Sequence, residues 1–140
     1  MAENARGKFR TFEDLECWKA CRALRLFTAT TCKTLKKDEE YRLRDQMLRA
    51  ARRTTASIAE GYGRFHYQEN IQYCRAARGS VYEVLDHFIT AVDEGLLPES
   101  SLSKCRGLAE QSVVLINGYV RYLQSKKAAP ALSSEQRINE

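Results

Sequence analysis

The chain has 140 residues, 44% apolar and 29% charged, a composition that fits one globular domain and excludes an intrinsically disordered chain. It holds no run of about 18 apolar residues, and the opening MAENARGKFR lacks the apolar stretch of a secretory signal, so neither a membrane span nor export is expected. A net charge of +5 and a pI near 9.0 suit an anionic partner without proving one, and five irregularly spaced cysteines read as the reduced thiols of a cytoplasmic protein.

The first helix is predicted over Thr11 to Lys37. Thr11 is placed as its cap, Glu13 and Asp14 fall in the first turn, and Lys33, Lys36 and Lys37 fall at the far end, all matched to the helix dipole. Cys17, Cys21, Leu24, Thr28, Thr31 and Leu35 recur at three and four and form its inward stripe. Leu15 and Leu26 project nearly opposite that stripe, with Trp18 to one side. A bundle helix needs one apolar face, so Leu15, Trp18 and Leu26 are expected to pack against another subunit.

The second helix is predicted over Glu39 to Tyr62, with Asp38 as cap and Leu43, Met47, Ala50, Thr54 and Ile58 as its stripe. Gly61 and Gly63 are expected to stop it, since glycine tolerates the left-handed conformation at a helix end. The third runs from Tyr67 to Glu94, with Ile71, Cys74, Ala77, Val81, Leu85, Phe88 and Val92 inward and Gly95 at its end. Gly79 inside it costs about 1 kcal/mol relative to alanine, which a close backbone neighbour would explain. The fourth runs from Pro98 or Glu99 to Ser125, with Leu102, Cys105, Leu108, Ser112, Leu115, Tyr119 and Tyr122 at three and four. Residues 1–10 are expected to be flexible, 11–127 to form the bundle, and 128–140 to be a disordered polar tail. Four long helices on short links predict an all-α, antiparallel up-down-up-down four-helix bundle.

Nothing in the chain assembles a reaction centre. Cys17 and Cys21 lie four apart on one helix face, but a metal site needs three or four convergent ligands and neither His66 nor His87 sits in a ligand-spaced pair, so the cysteines read as small hydrophobes and neither metal nor cofactor is expected. Gly61-Tyr62-Gly63 closes a helix instead of opening one after a strand, so it is no phosphate-cradling loop. The chain is expected not to be an enzyme.

Charge concentrates on the second helix and its exit. Arg42, Arg44, Arg49, Arg52, Arg53 and Arg64 face only Asp45 and Glu60, a local balance of +4. Helical projection sets Arg42, Arg49, Arg52 and Arg53 opposite the apolar stripe. Guanidinium forks there can grip the phosphates of a nucleic acid; they can equally serve ion pairs with a neighbouring helix or subunit, and the pattern alone leaves both open. Tyr62, Phe65 and Tyr67 interleave with Arg64 as in single-strand binders, although aromatics at such a corner more often close the end of the bundle.

Several spaced motifs carry a resemblance. Phe12-x-x-Leu15-x-x-Trp18, Leu43-x-x-Gln46-x-x-Arg49-Ala50-Ala51, Ile58-Ala59-Glu60-Gly61-Tyr62-Gly63-Arg64 and Ala77-x-Gly79-Ser80-x-x-Glu83 resemble, in order, those of the 23S rRNA intervening sequence proteins. Two departures stand out. Arg53, Thr55 and Ser57 replace that family's Ser-x-Pro-x-Asn-like stretch, and His66 replaces a serine ahead of the third helix. The resemblance implies a cytoplasmic bacterial or phage-borne bundle that assembles as a homopentamer. It also implies likeness to the accessory variability determinants of diversity-generating retroelements, which bind nucleic acid and a reverse transcriptase; the partners expected for this chain are nucleic acid, RNA before DNA, and a reverse transcriptase. The alternative is a protein-interaction scaffold that binds no nucleic acid.

Overall fold

A computed structural model of the chain describes residues 10–35 and 37–128, except for the side chains of 37–39. Among them are four α-helices and no strand: α1 (Glu16–Cys32), α2 (Lys37–Arg64), α3 (Tyr67–Asp93) and α4 (Glu99–Lys127), with a short 3-10 turn over Phe12–Asp14 ahead of α1. The tails expected at 1–10 and 128–140 lie outside the described residues, Arg10 and Ala128 excepted, as do Lys36 and the side chains of Lys37 and Asp38. No helix among the described residues is long and apolar enough to cross a membrane.

Helix α1 starts later than the charge pattern predicts. Leu15 takes an extended conformation (φ −72°, ψ 130°) and separates the 3-10 turn from the helix. Thr11 precedes the turn without a side-chain cap bond, and the Arg10 N–H donates to Asp14 Oδ2 at 2.7 Å. Leu15 therefore leaves the helical phase and turns into the core, where it is 2% exposed. Its apolar surface is covered within the chain, which corrects its expected place on an outward, subunit-contacting face. The inward stripe of α1 is as predicted: Cys17, Cys21, Leu24, Thr28 and Thr31 are all buried, and Leu35 beyond the helix is buried too.

Helix α2 runs straight through both glycines expected to stop it. The stop is Phe65, held at φ 61°, followed by the extended His66 that leads into α3. Gly61 has a different function: a Cβ there would lie 2.7 Å from Tyr73 Cβ and 2.8 Å from Asn70 Oδ1, so only glycine lets α2 and α3 approach so closely. Gly79 is the converse, with nothing within 4 Å of a Cβ. The close neighbour expected there is absent among the described residues.

The helices pack in chain order, and α1 also packs on α4 to close the bundle. Contact partners descend along one helix as they ascend along the next. Arg25 meets Thr55 while Cys32 meets the Arg44 carbonyl. Arg53 meets Glu83 while Arg64 meets Tyr73. Asn70 meets Tyr119 while Arg78 meets Asn117. The core is filled by Leu24, Met47, Ile58, Ile71, Val81, Val84, Phe88, Ile116 and Leu123, with Phe27 stacked on Phe88 at 5.6 Å. Buried hydroxyls are satisfied by their own helices: Thr28 donates to the Leu24 carbonyl at 2.8 Å and Thr54 to the Ala51 carbonyl at 2.6 Å.

In α4 the buried set past Ser112 is Ile116, Val120 and Leu123, one residue beyond the strict heptad, and Leu115, Tyr119 and Tyr122 lie half-buried at its flank. A straight helix of 3.6 residues per turn drifts against a seven-residue repeat, which moves the inward face along. All five cysteines are free and buried. Burial raises every thiol: Cys21 and Cys32 to about 11, Cys74 and Cys105 to about 12, and Cys17 further still.

Candidate nucleic-acid interface

The register of α1 on α2 divides the arginines among three environments. Residues of α2 that follow Arg44 at intervals of four (Leu48, Arg52) line the flank facing α1. On the α1 side of the same groove sit Ala29, Cys32 and Lys33. The groove encloses about 310 Å³, with Ala29, Cys32 and Leu48 as apolar lining and Lys33, Arg44 and Arg52 as its cations. One turn further on, Arg25 donates from Nη1 to Thr55 Oγ1 at 2.8 Å. That bond fixes the guanidinium through a neutral partner and leaves its charge uncompensated. Among the described residues no carboxylate pairs with Arg25, Lys33, Arg44 or Arg52. The field of Arg44 and Arg52 is felt at Cys32: burial raises its thiol to about 11, and Arg44 and then Arg52 pull against that rise.

The second environment is the outward ridge of α2. Arg42 and Arg49 are exposed there, and Arg49 lies 3.9 Å from Asp45 with both side chains mostly in solvent. A pair so exposed and so long contributes little to stability and leaves Arg49 available.

The third is the α2–α3 seam, where the ion-pair reading holds. Arg53 Nη2 meets Glu83 Oε1 at 2.6 Å, and the other Glu83 oxygen lies 3.3 Å from His87 Nε2. The hydrogen bond from Arg53 holds the Glu83 carboxyl below its usual range, despite some desolvation. Arg64 donates to Glu60 at 3.0 Å and to the Tyr73 hydroxyl at 2.8 Å, and Tyr73 in turn donates to Glu60 at 3.1 Å. The guanidinium also lies over the Tyr73 ring, 5.2 Å from its centre. Arg53 and Arg64 are thus ion-paired inside the chain at shorter distances than Arg49, each with its side chain still about half exposed.

Of the six arginines singled out in the sequence, the structure brings Arg44 and Arg52 into one groove and leaves Arg42 and Arg49 beside it. It removes Arg53 and Arg64 to the opposite flank. Arg25 and Lys33 were missed. Their signal was present as basic residues along one side of α1, but joining them to Arg44 and Arg52 needs the helix-to-helix register. Of the three residues expected at a subunit contact, Trp18 is half-buried with Phe12 edge-on at 5.4 Å, and Leu26 remains 45% exposed.

The aromatic corner also divides. Tyr62 packs inward, edge-on to Phe12 at 6.4 Å, and closes the bundle end as expected. Phe65 and Tyr67 do not close anything, being 85% and 46% exposed. Among the described residues no group of three or more His, Cys, Asp or Glu side chains could hold a metal ion.

Residues 13–118 match the family described as 23S rRNA-intervening sequence protein, and no curated protein matches the chain. The match begins in the 3-10 turn, takes in α1, α2 and α3 entire, and ends at Gly118 of α4. It therefore includes every residue of the α1–α2 groove and both flanks of α2. On that match, the chain belongs to the 23S rRNA-intervening sequence protein family.

Proposed function

We propose that this chain is an antiparallel up-down-up-down bundle that works without catalysis, as the subunit of a homo-oligomer that holds nucleic acid by its phosphate backbone. The observation that carries this reading is the groove between α1 and α2, where Arg25, Lys33, Arg44 and Arg52 converge with no described carboxylate to neutralise them. Arg42 and Arg49 extend the same sign of charge along the adjoining ridge. Backbone contacts of this kind give affinity without sequence preference, and they weaken steeply with salt. RNA is the polymer named first, because the family's description ties it to 23S rRNA. Repetition of the groove by symmetry would add avidity, since each further contact to a shared strand becomes intramolecular.

The test is a paired charge reversal. Arg44→Glu with Arg52→Glu should abolish retention of RNA at moderate salt while helicity and oligomer size are kept. Retention equal to the unaltered protein would sink the groove reading.

A scaffold that binds no nucleic acid is the second reading, and exposed Leu26, Tyr82 and Val114 favour it by offering apolar contact to another copy. It predicts that the unaltered protein retains no RNA, and that Leu26→Asp lowers the mass measured by light scattering.

A further inference from the structure

The end of the bundle where α2 turns into α3 carries a cavity of about 280 Å³, lined by Tyr62, Phe65, His66, Tyr67, Asn70 and Leu123. Four of these six present flat unsaturated rings. The volume is just under the roughly 300–1,000 Å³ of sites that enclose a drug-sized ligand. It suits one planar ring system whose remainder lies outside.

Phe65 is the residue that asks for an explanation. A bulky side chain at φ 61° is a backbone outlier that glycine or asparagine would relieve, and it costs about 1 kcal/mol or more. The usual compensation would be burial of the ring, yet the ring is 85% exposed. The strain thus places an aromatic face at the mouth of the cavity without any return in packing inside the chain. Tyr67, two residues on, is also nearly half exposed.

Polar groups at the site match the edge of a base. Asn70, 7% exposed, donates from Nδ2 to the Tyr119 hydroxyl at 3.1 Å and accepts from Cys74 Sγ at 3.6 Å. A carboxamide carries two N–H donors, so one remains for a ligand beside the bond to Tyr119, while Oδ1 is packed against Gly61 and Cys74. Two lysines lie near the site. Lys127 donates to Gln68 Oε1, beside Tyr67, and Lys126 lies 5.6 Å above the Tyr122 ring, one residue before Leu123. Neither lysine pairs with a carboxylate among the described residues. An aromatic cavity with these lysines near it fits a base whose phosphates lie alongside.

We infer that this cavity takes an unpaired nucleobase of a single-stranded nucleic acid, stacked on Phe65 and Tyr67, while neighbouring phosphates meet Lys126 and Lys127. The inference rests on the nucleic-acid reading above and deepens it. The groove grips phosphates whatever their base pairing, and the bundle end makes the protein select single strands. The two regions are joined along the molecule. Arg44 lies against Cys32, Thr55 against Arg25, and Tyr62 against Phe12 beside Trp18, so the groove leads toward this end.

The experiment compares a 12-nucleotide RNA single strand with a duplex carrying as many phosphates, by fluorescence anisotropy. The proteins are the full chain, Phe65→Gly and the double reversal of Arg44 and Arg52. Phe65→Gly removes the ring and relieves the backbone at once, so the variant should melt no lower than the parent, and loss of folding cannot explain its result. Tyr67→Leu, at a position without strain, is the second variant. The full chain should prefer the single strand. Phe65→Gly should weaken single-strand binding by roughly tenfold or more, the effect of losing one base stack, and leave duplex binding unchanged. Tyr67→Leu should move the same way. Equal single-strand affinity in Phe65→Gly and the full chain overturns the inference, as does an equal loss for strand and duplex. If the full chain binds both polymers equally and the arginine reversal abolishes both, the groove stands and the cavity has no such role. If the full chain binds neither, the groove reading itself has failed and the cavity falls with it.

Discussion

Two helical glycines with opposite surroundings make a matched pair for testing the packing. Substituting alanine at either gains about 1 kcal/mol of helix propensity. At Gly79 nothing lies within 4 Å of the new methyl, so the full gain should appear. At Gly61 the methyl would meet Tyr73 Cβ at 2.7 Å, Asn70 Oδ1 at 2.8 Å and Asn70 Cα at 3.3 Å. Tyr73 Cβ and Asn70 Cα are tied to the backbone of α3 and cannot swing aside as a side-chain tip can. Overpacking of this kind costs about 1–3 kcal/mol. Displacing Asn70 also breaks its bond to Tyr119, a further loss of about 1 kcal/mol. Gly61→Ala should therefore destabilise by about 1–3 kcal/mol net, and the two variants should differ by about 2–4 kcal/mol. Urea unfolding followed by helical circular dichroism, at one protein concentration, reads this as midpoints moving in opposite directions, with a slope of about 1–3 kcal/mol per molar urea. If both variants gained stability equally, the close approach of α2 to α3 at Gly61 would be wrong.

The other predictions concern charge and thiols. Five buried cysteines have folded pKa values raised above an ordinary value of 9.0, so their stabilising effect is complete below pH 9 and is lost as pH rises from there toward 11 and beyond. Stability should therefore decline as pH rises from 9 to 10, and a cysteine-free variant should lose that decline. An unchanged urea midpoint over that range would contradict the burial. For Glu83 the sign is opposite: its carboxyl is held below the ordinary 4.5 by Arg53, so the stability it adds is present above that pH and is lost on acidification through the lowered value. Arg53→Gln should cost about 0.5 kcal/mol or less at pH 7, the scale of a part-exposed pair, and flatten the acid limb of the stability profile.

Helical periodicity revealed most of the fold and only part of the site. The stripe of α1 at Cys17, Cys21, Leu24, Thr28 and Thr31 could be read directly, because one helix on one core needs only the 3.6-residue period. Leu15 could not, since its inward turn depends on a 3-10 break that no local residue type announces. The stop at Phe65 was hidden for the opposite reason: two glycines stand just before it and a phenylalanine disfavours the conformation it adopts. Projection of α2 alone grouped Arg52 with Arg53, two neighbours that the packing sends to different flanks. Arg52 lines the groove against α1, whereas Arg53 faces Glu83 of α3. That division depends on helix-to-helix register, which three-dimensional packing determines.

The most direct measurement of the central claim is the salt dependence of RNA binding. Each cation that meets a phosphate releases counterions, so its loss should lower the slope of log affinity against log salt by about one. Arg44→Gln with Arg52→Gln should lower that slope by about two, and Arg53→Gln should leave it as it was. A slope unmoved by the groove pair, or one that falls with Arg53 instead, would place the phosphates elsewhere on the protein.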